Sequence, residues 1–355
     1  MANVHKVAVF GGDGIGPEVT AEAMKILDAV AELDGFRVDK KEFPHGSEHF
    51  LATGELMPNE VIEELRNDFD AVYLGAIGDP RVEVGKVEYA VIAGMRFQLD
   101  LFVNLRPIRL HAEKFCPLKD KTPADIDMVV VRENTEDAYA GIYGHLKKES
   151  SNEVAVQQMI YTRDGVERVI RYAYELCRER NRKKRLTLVD KSNAIRAQDL
   201  WTRVFAEVGE EFPDIEQDHA YVDAACMWMV KNPEHFDVVV TTNLFGDIIT
   251  DLGAQLQGGM GVAASGNIHP GRVSMFEPIH GSAPKYKGMN TSCPIAAIAA
   301  VQMMLDHLGE PNSAMRVERA IETVLGADDV TSMSAKSGIS TGEWGDRVLA
   351  ALSAG

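Results

Sequence analysis

The sequence lacks the features that mark disulfide-stabilised, zinc-binding and membrane-spanning proteins. Its four cysteines lie far apart and form no C-x-x-C pair, which is typical of reduced thiols in the cytoplasm. The longest apolar stretch, residues 294–305, is too short to cross a bilayer and includes Gln302. No signal-peptide pattern precedes the first predicted strand. We therefore expect a cytoplasmic protein that does not bind membranes.

Positive charge is scarce, because 37 lysines and arginines face 54 aspartates and glutamates, for a net charge of −17. Such an acidic chain is a poor partner for nucleic acid, and we expect none. A small anionic substrate is still compatible, since a local group of arginines outweighs the overall field. The 355 residues exceed one compact core and contain no internal repeat, which predicts two domains.

Apolar strand patterns alternate with amphipathic helix patterns, which predicts an α/β fold with a largely parallel sheet. Ligands of such folds bind at the carboxyl ends of the strands. Several polar residues follow directly after apolar runs, namely Arg132, Glu133, Asp190, Lys191, Asn243 and Asp247. The basic run at 178–185 is predicted to be a solvated helix end and loop.

Two aspartates, Asp247 and Asp251, lie four residues apart in a helix predicted to begin at Gly246. At that spacing both carboxylates project from one helix face and repel each other, which favours a positive partner between them. Hard oxygen ligands suit Mg²⁺ or Mn²⁺. The alternative interpretation is a solvated acidic helix face.

Cationic residues supply the complementary chemistry. If Arg96, Arg106 and Arg132 converge, they suit a di- or tricarboxylate, because arginine pairs bidentately with carboxylates. Taken singly, each also fits a surface ion pair. Lys191 fits either a desolvated general base or a salt-bridged lysine, and Tyr139 either a proton donor or a packed aromatic.

Two glycine-containing segments invite a nucleotide interpretation. The turn at 11–16 follows a strand and precedes Pro17, but its spacing does not fit G-x-G-x-x-G. A tight strand-to-helix turn explains it equally well. The loop at 280–284 is polar and can present backbone N–H groups to phosphate.

Over nearly its whole length, the chain resembles the β-decarboxylating dehydrogenases, the family acting on isopropylmalate, isocitrate, homoisocitrate and tartrate or D-malate. Several long motifs in one order are far more specific than any one alone. The motifs are GDGIGPE at 12–18, NLRP at 104–107, VRENTE at 131–136, VDK at 189–191, YVDA at 221–224, NLFGDIITDL at 243–252 and FEPIHGSAP at 276–284.

The resemblance implies an isopropylmalate/isocitrate dehydrogenase-like fold of two α/β domains around a cleft, without a Rossmann unit. Residues 1–104 and 262–355 would form the cofactor-binding domain. Residues 105–261 would form the dimerisation and metal/substrate domain. The protein would be a homodimer with shared active sites.

The resemblance also implies roles for single residues. Arg96, Arg106 and Arg132 would hold the carboxylates of a malate-type substrate. Mg²⁺ or Mn²⁺ would be bound by Asp247 and Asp251 with Asp223 of the second subunit. Lys191, also from the second subunit, would take the hydroxyl proton as hydride leaves for the nicotinamide, and Tyr139 would protonate the enolate after decarboxylation.

The loop from 277 to 286 would bind the cofactor. NAD is favoured, although the family's NAD-dependent members usually have an aspartate where this chain has Lys285 and Tyr286, so NADP remains open. A supporting tyrosine and arginine for a 2′-phosphate have no counterpart in 328–336. The residues expected to bind the cofactor are Glu277, His280, Gly281, Ser282, Ala283, Pro284, Lys285 and Tyr286.

The strip before Arg96 would select the substrate. Ala90 stands where isocitrate enzymes have serine, and Ile92 and Ala93 would pack on an isopropyl group. An unpaired extra carboxylate would be costly there. The expected reaction is oxidative decarboxylation of a 3-substituted (2R)-malate, with 3-isopropylmalate giving 2-oxoisocaproate in leucine biosynthesis. Tartrate or D-malate is the alternative, ahead of isocitrate or homoisocitrate.

Two other classes of protein fit part of this pattern. A non-catalytic partner subunit would not need the tyrosine, lysine and three aspartates to be present together. A metal-dependent hydrolase would use the aspartates but leaves the loop at 280–284 unexplained.

Overall fold

The computed structural model describes residues 3–354. The chain forms two compact units, each with its own internal contacts. Unit 1 comprises Met1–Leu101, Arg106–Ile126 and Ala254–Gly355, and unit 2 comprises Phe102–Leu105 and Asp127–Gly253. Both chain ends therefore belong to one unit and the middle of the chain to the other.

Strands and helices alternate along most of the chain. The strands are β1 (Val4–Gly12), β2 (Arg37–Glu42), β3 (Ala71–Ala76), β4 (Val103–Arg109), β5 (Asp127–Glu133), β6 (Tyr143–Leu146), β7 (Val154–Gln157), β8 (Arg185–Asp190), β9 (Glu216–Tyr221), β10 (Val238–Thr241), β11 (Ala264–Ile268) and β12 (Ser274–Pro278). The helices are α1 (Gly16–Asp34), α2 (Ser47–Thr53), α3 (Asn59–Asp68), α4 (Lys86–Glu88), α5 (Gly94–Gln98), α6 (Arg163–Arg180), α7 (Asp199–Gly209), α8 (Val222–Lys231), α9 (Asn243–Leu256), α10 (Ile295–His307), α11 (Pro311–Gly326) and α12 (Thr341–Ala354).

In unit 1 the strands lie in the order β2-β1-β3-β12-β11, parallel except for the antiparallel pair β11–β12. β3 is buried along its whole length, as a continuous apolar run predicts. Helix α10 packs against β11, β12 and α1, and its apolar side chains are buried around most of its circumference. The turn after β1 needs glycine, because a Cβ on Gly12 (φ 75°) would lie 1.9 Å from the Ala76 carbonyl oxygen.

In unit 2 the strands lie in the parallel order β5-β10-β8-β9. Helix α6 packs on β5, β8 and β10, while β6 and β7 form a separate antiparallel hairpin. The register pairs Thr241 with both Arg132 and Val189. The carboxyl ends of β5, β10 and β8 therefore meet at one edge, where parallel sheets bind ligands.

Three features depart from the sequence expectations. Helix α9 begins at Asn243, one turn before the expected start. Residues 106–126, expected in the second domain, belong to unit 1, because Arg109 forms ion pairs with Glu318 and Glu322 of α11. The basic run is only partly solvated, since the Arg180 guanidinium binds the buried Asp237 at 3.0 Å.

No helix within residues 3–354 combines the length and the apolar character needed to cross a bilayer.

Candidate active site

The carboxyl edge of unit 2 assembles a compact polar cluster around Arg132. The Arg132 side chain is 1% exposed, and its Nε and Nη2 donate to Asn243 Oδ1 at 3.0 and 2.7 Å. Its Nη1 forms an ion pair with Asp247, and its guanidinium carbon lies 5.3 Å from the centre of the Tyr139 ring. The Tyr139 hydroxyl donates to the second Asp247 oxygen at 2.9 Å. The cluster therefore contains an anion-binding guanidinium (Arg132), a hydroxyl that can donate a proton (Tyr139) and a carboxylate (Asp247).

Close packing of α9 on β5 explains the glycine of the motif. A Cβ added to Gly246 would lie 2.4 Å from Arg132 Cγ, well inside van der Waals contact. Glycine therefore lets the helix approach the arginine and holds Asp247 against the guanidinium.

The three aspartates expected to bind metal do not meet within one chain. Asp247 and Asp251 share a face of α9, whereas Asp223 lies on α8 and binds the Lys191 ammonium at 2.5 Å. Across residues 3–354, no three histidine, cysteine, aspartate or glutamate side chains come together as a metal-binding group. The positive partner of Asp247 in the isolated chain is Arg132.

The carboxylate chemistry nevertheless fits a divalent metal. Asp251 is exposed and has no partner among the residues that the structure describes. Asp223 is exposed, and its hydrogen bond from Lys191 lowers its pKa, which keeps the carboxylate ionised. Hard, ionised oxygen donors are the ligands that Mg²⁺ and Mn²⁺ require.

Two buried carboxylates, Glu133 and Asp190, flank the catalytic candidates. Burial raises the pKa of Glu133 to about 7, although the hydrogen bonds that it accepts from Thr135 and Glu136 lower the pKa. Beside Lys191, His219 Nε2 hydrogen-bonds the buried Asp190 at 3.1 Å, which raises the pKa of the histidine. The Asp190–His219 pair lies at the strand end that presents Lys191.

In unit 1 the candidate substrate arginines lie in different settings. Arg96 lies on α5, not in an extended segment, and donates to Glu277 Oε1 at 3.1 Å. Its Nε is buried and has no hydrogen-bond partner within the described residues, so the side chain retains a donor for an anion. Arg106 is buried in β4, where Pro107 follows it. Glu277, an expected cofactor residue, is thus already paired with an expected substrate residue.

The predicted specificity strip forms a π-helical turn, Tyr89–Ala93, between α4 and α5. Such turns insert one extra residue into a helix and are frequent at functional sites. Val91 points into the core, and Ile92 packs only partly against the same apolar cluster. Ile92 and Ala93 are therefore accessible one turn before Arg96.

The expected cofactor loop is fastened to the turn after β1. Ile15 N donates to Ser282 O at 2.8 Å, and the Ser282 hydroxyl donates to Gly78 O at 2.5 Å. The buried Asp13 accepts from Gly78 N at 2.9 Å and from the Ser47 hydroxyl at 2.7 Å. The turn at 11–16 and the loop at 280–284 are therefore in direct contact.

A cavity of about 340 Å³ lies beside this loop, lined by residues 77–80, Val82, Val84, Glu88 and residues 281–284. Burial lowers the pKa of His280, and its Nε2 is a buried nitrogen without a partner among the described residues. The Lys285 ammonium lies 4.8 Å from the centre of the Tyr286 ring. His280 directly precedes the loop residues that line the cavity, and an unsatisfied imidazole nitrogen in a polar, glycine-containing loop suits a dinucleotide.

The sequence assigns no role to two residues that the structure places in the site. Asn243 stands among the polar residues that follow apolar runs, but only the structure shows that its side chain holds the Arg132 guanidinium. Asp137 was passed over, although it is fully buried two residues before Tyr139. A lone acidic residue in a loop-like segment carries no signal of burial.

Comparisons with known proteins agree with these observations. Residues 6–348 match the isocitrate/isopropylmalate dehydrogenase family. The chain is 50% identical over 350 residues to the 3-isopropylmalate dehydrogenase of Mycobacterium avium, covering 98% of this chain and all of that protein. It is 48% identical to that of Thermobifida fusca over 351 residues, covering 98% of this chain and 97% of that protein.

A solved structure, the isocitrate dehydrogenase of Methylococcus capsulatus, superposes with a TM-score of 0.87 at 34% identity, covering 98% of this chain and 99% of that one. The sequence predictions of fold class and of a dehydrogenase are thereby confirmed. The chain belongs to the isocitrate/isopropylmalate dehydrogenase family, as an NAD(P)-dependent β-decarboxylating dehydrogenase that requires Mg²⁺ or Mn²⁺.

Proposed function

We propose that the protein oxidatively decarboxylates 3-isopropylmalate to 2-oxoisocaproate, in leucine biosynthesis. The observation that carries this choice is the pairing of an anion-binding group with an apolar surface. The buried, unpaired Nε of Arg96 lies one helical turn from the accessible side chains of Ile92 and Ala93. A substrate with a carboxylate next to a branched alkyl group satisfies both. The names of the relatives that are about half identical support the same substrate.

The candidate residues divide the reaction between them. Arg96, Arg106 and Arg132 bind carboxylates of the substrate. Lys191 would accept the proton of the C2 hydroxyl, and bound NAD would supply the acceptor for the hydride that C2 gives up. The bond from C3 to its carboxylate then breaks, carbon dioxide leaves, and the electron pair forms an enolate. Tyr139 donates a proton to C3 of that enolate.

Asp247 and Asp251 of one subunit, with Asp223 of the other, would hold the divalent cation. When bound, this cation supplies Lewis-acid stabilisation for the negative charge that develops on the substrate as carbon dioxide leaves. The loop at 280–286 and Glu277 bind NAD, with the loop held in place by Ser282.

The protein works as a homodimer in which Lys191 and Asp223 of one subunit complete the site of the other. Two apolar surfaces support this assembly. On α8 and α9, Met227 and Ile248 are 71% and 54% exposed, and on the β6–β7 hairpin Tyr143 is 70% exposed. The separation of Asp223 from Asp247 and Asp251 within a chain supports it further.

The four cysteines are free, which supports a cytoplasmic location. The assay that tests the function follows absorbance at the NAD(P)H band with Mg²⁺ or Mn²⁺. It crosses 3-isopropylmalate, D-malate, tartrate and isocitrate with NAD and NADP. We expect the highest kcat/KM with 3-isopropylmalate and NAD, and a preference for D-malate or tartrate would refute the substrate.

A variant sharpens this test. Ile92→Ala removes apolar surface, so kcat/KM for 3-isopropylmalate should fall by about 10- to 200-fold while that for D-malate changes little. A general loss of folded enzyme would lower both values equally. The matched control is Leu33→Ala, an exposed apolar residue of α1.

A further inference from the structure

Asp137, two residues before Tyr139, is constrained in both its backbone and its side chain. Its side chain is fully buried, and its backbone has φ 67° and ψ −145°, a conformation that residues other than glycine rarely adopt. Its backbone N–H donates to Ile160 O at 2.8 Å, and its Oδ1 accepts from Ala138 N at 2.8 Å. Tyr139 follows two residues later, so these bonds determine where the tyrosine leaves the loop.

The same carboxylate fixes the start of α9. Asp137 Oδ2 accepts from Leu244 N at 2.9 Å, in the first turn of the helix. A negative charge at a helix N-terminus is stabilising, because it pairs with unsatisfied N–H groups and the positive end of the helix dipole. Asn243 adds a second link, since its Nδ2 donates to Glu136 O at 3.2 Å. The loop that carries Tyr139 therefore determines where α9 starts, and with it the positions of Asp247 and Asp251.

A third arm reaches the lysine. The Tyr161 hydroxyl donates to Asp137 Oδ1 at 2.9 Å and accepts from Gln198 Nε2 at 2.8 Å. The buried Gln198 in turn accepts from Lys191 N at 2.7 Å. An unbroken chain of hydrogen bonds therefore runs from the first turn of α9 to the backbone of Lys191.

We propose that Asp137 is a positioning residue for the reaction, which holds Tyr139, helix α9 and Lys191 in one rigid frame. This inference rests on the proposed function, in which those groups carry the proton transfers and the metal. Because Lys191 serves the site of the second subunit in that proposal, the frame also links the two sites of a dimer. The strained backbone is maintained because three elements bond to this one carboxylate.

The decisive variant is Asp137→Asn, which keeps the shape but replaces one acceptor oxygen with an NH₂ group. In the position of either Oδ1 or Oδ2, that NH₂ group would face another N–H or O–H donor. Because two donors cannot pair, one hydrogen bond of the frame is lost. We expect kcat to fall on the order of 10²-fold, the cost of a displacement of about 1 Å. KM for NAD should stay unchanged, because the cofactor loop lies in unit 1. The Kd of Mn²⁺, measured by electron paramagnetic resonance, should rise about tenfold.

Asp237→Asn is the matched control. Asp237 is also a fully buried aspartate of unit 2, bound by Arg180 and by Lys183 N, but it precedes β10 at the opposite end of the strand. We expect it to lower Tm as Asp137→Asn does, while kcat and the Kd of Mn²⁺ stay within about twofold of the unmutated enzyme. If Asp137→Asn behaves like this control, its role is structural only and the inference is wrong.

Tyr161→Phe tests the arm to Lys191 separately and removes a single hydroxyl. Loss of the two hydrogen bonds of this hydroxyl, to Asp137 and from Gln198, should lower kcat about tenfold and leave the Kd of Mn²⁺ unchanged. Unchanged kcat would contradict a role for the hydrogen bonds that connect Asp137 to Lys191. If Asp137→Asn does not fold, the result for Tyr161→Phe decides the inference instead. An unmutated enzyme inactive on all four substrates would refute the proposed function instead, while the Mn²⁺ titrations would still test the frame at α9.

Discussion

Gly246→Ala offers the sharpest test of how the site is built, because it adds one methyl group between α9 and β5. That methyl would lie 2.4, 2.6 and 2.9 Å from Arg132 Cγ, Cβ and Cδ, so a shift of more than 1 Å is needed to reach ordinary contact. Arg132 cannot yield easily, since it is buried and bonded to Asn243 and Asp247.

The magnitude follows from these contacts. Overpacking of this kind costs about 1–3 kcal/mol of unfolding free energy. A displacement near 1 Å of the group that binds Asp247 lowers kcat/KM on the order of 10²-fold. Urea unfolding and steady-state kinetics with 3-isopropylmalate measure the two effects.

The matched control is Gly326→Ala at the end of α11, where an added Cβ meets no atom within 4 Å. Alanine should be neutral or slightly stabilising there, because it restricts the unfolded chain. A Gly246→Ala enzyme with normal stability and kcat/KM would refute the close-packing argument.

The remaining predictions concern single groups. Lys191→Ala should lower kcat severely while a Mn²⁺ titration stays near normal; near-normal turnover would contradict its role as the base. Chelation with EDTA should abolish activity and Mg²⁺ or Mn²⁺ should restore it, whereas activity that survives chelation would rule out the metal role. Lys285→Asp should raise the ratio of NAD to NADP use, and an unchanged ratio would remove this residue from cofactor recognition. For Glu133, whose pKa is raised from 4.5 to about 7, the folded state binds the proton more tightly than the unfolded state. Its contribution to stability is therefore present below pH 4.5 and lost as pH rises to about 7. The urea midpoint of Glu133→Gln should decline less over this pH range than that of the unmutated protein. Parallel curves of urea midpoint against pH for the two proteins would contradict this prediction.

The sequence predicted the parts of the site whose geometry is local. The spacing of Asp247 and Asp251 places both on α9, and the apolar runs before Arg132 and Lys191 become β5 and β8. Parallel register then brings the ends of these strands together, as pattern alone implies.

The long-range partners were beyond the sequence. Nothing local indicates that Arg180 binds Asp237 or that Arg96 binds Glu277, since each pair joins segments far apart in the chain. The burial of Asp137 likewise depends on Tyr161 and Leu244, which reach it only after folding. Tertiary contacts also moved the start of α9, because Asp137 caps its first turn.

The fastening of the cofactor loop to the first turn of the protein has a consequence for biosynthesis. Ser282 accepts from Ile15 N in that turn and also donates to Gly78 O, 204 residues away in the chain. During synthesis, the segment Asp127–Gly253 of unit 2 is complete before residues 254 onward exist. We therefore expect the segment that carries Lys191 and the three aspartates to fold first during translation. The chain should become able to bind NAD only later, when residues 254 onward pack against the N-terminal strands.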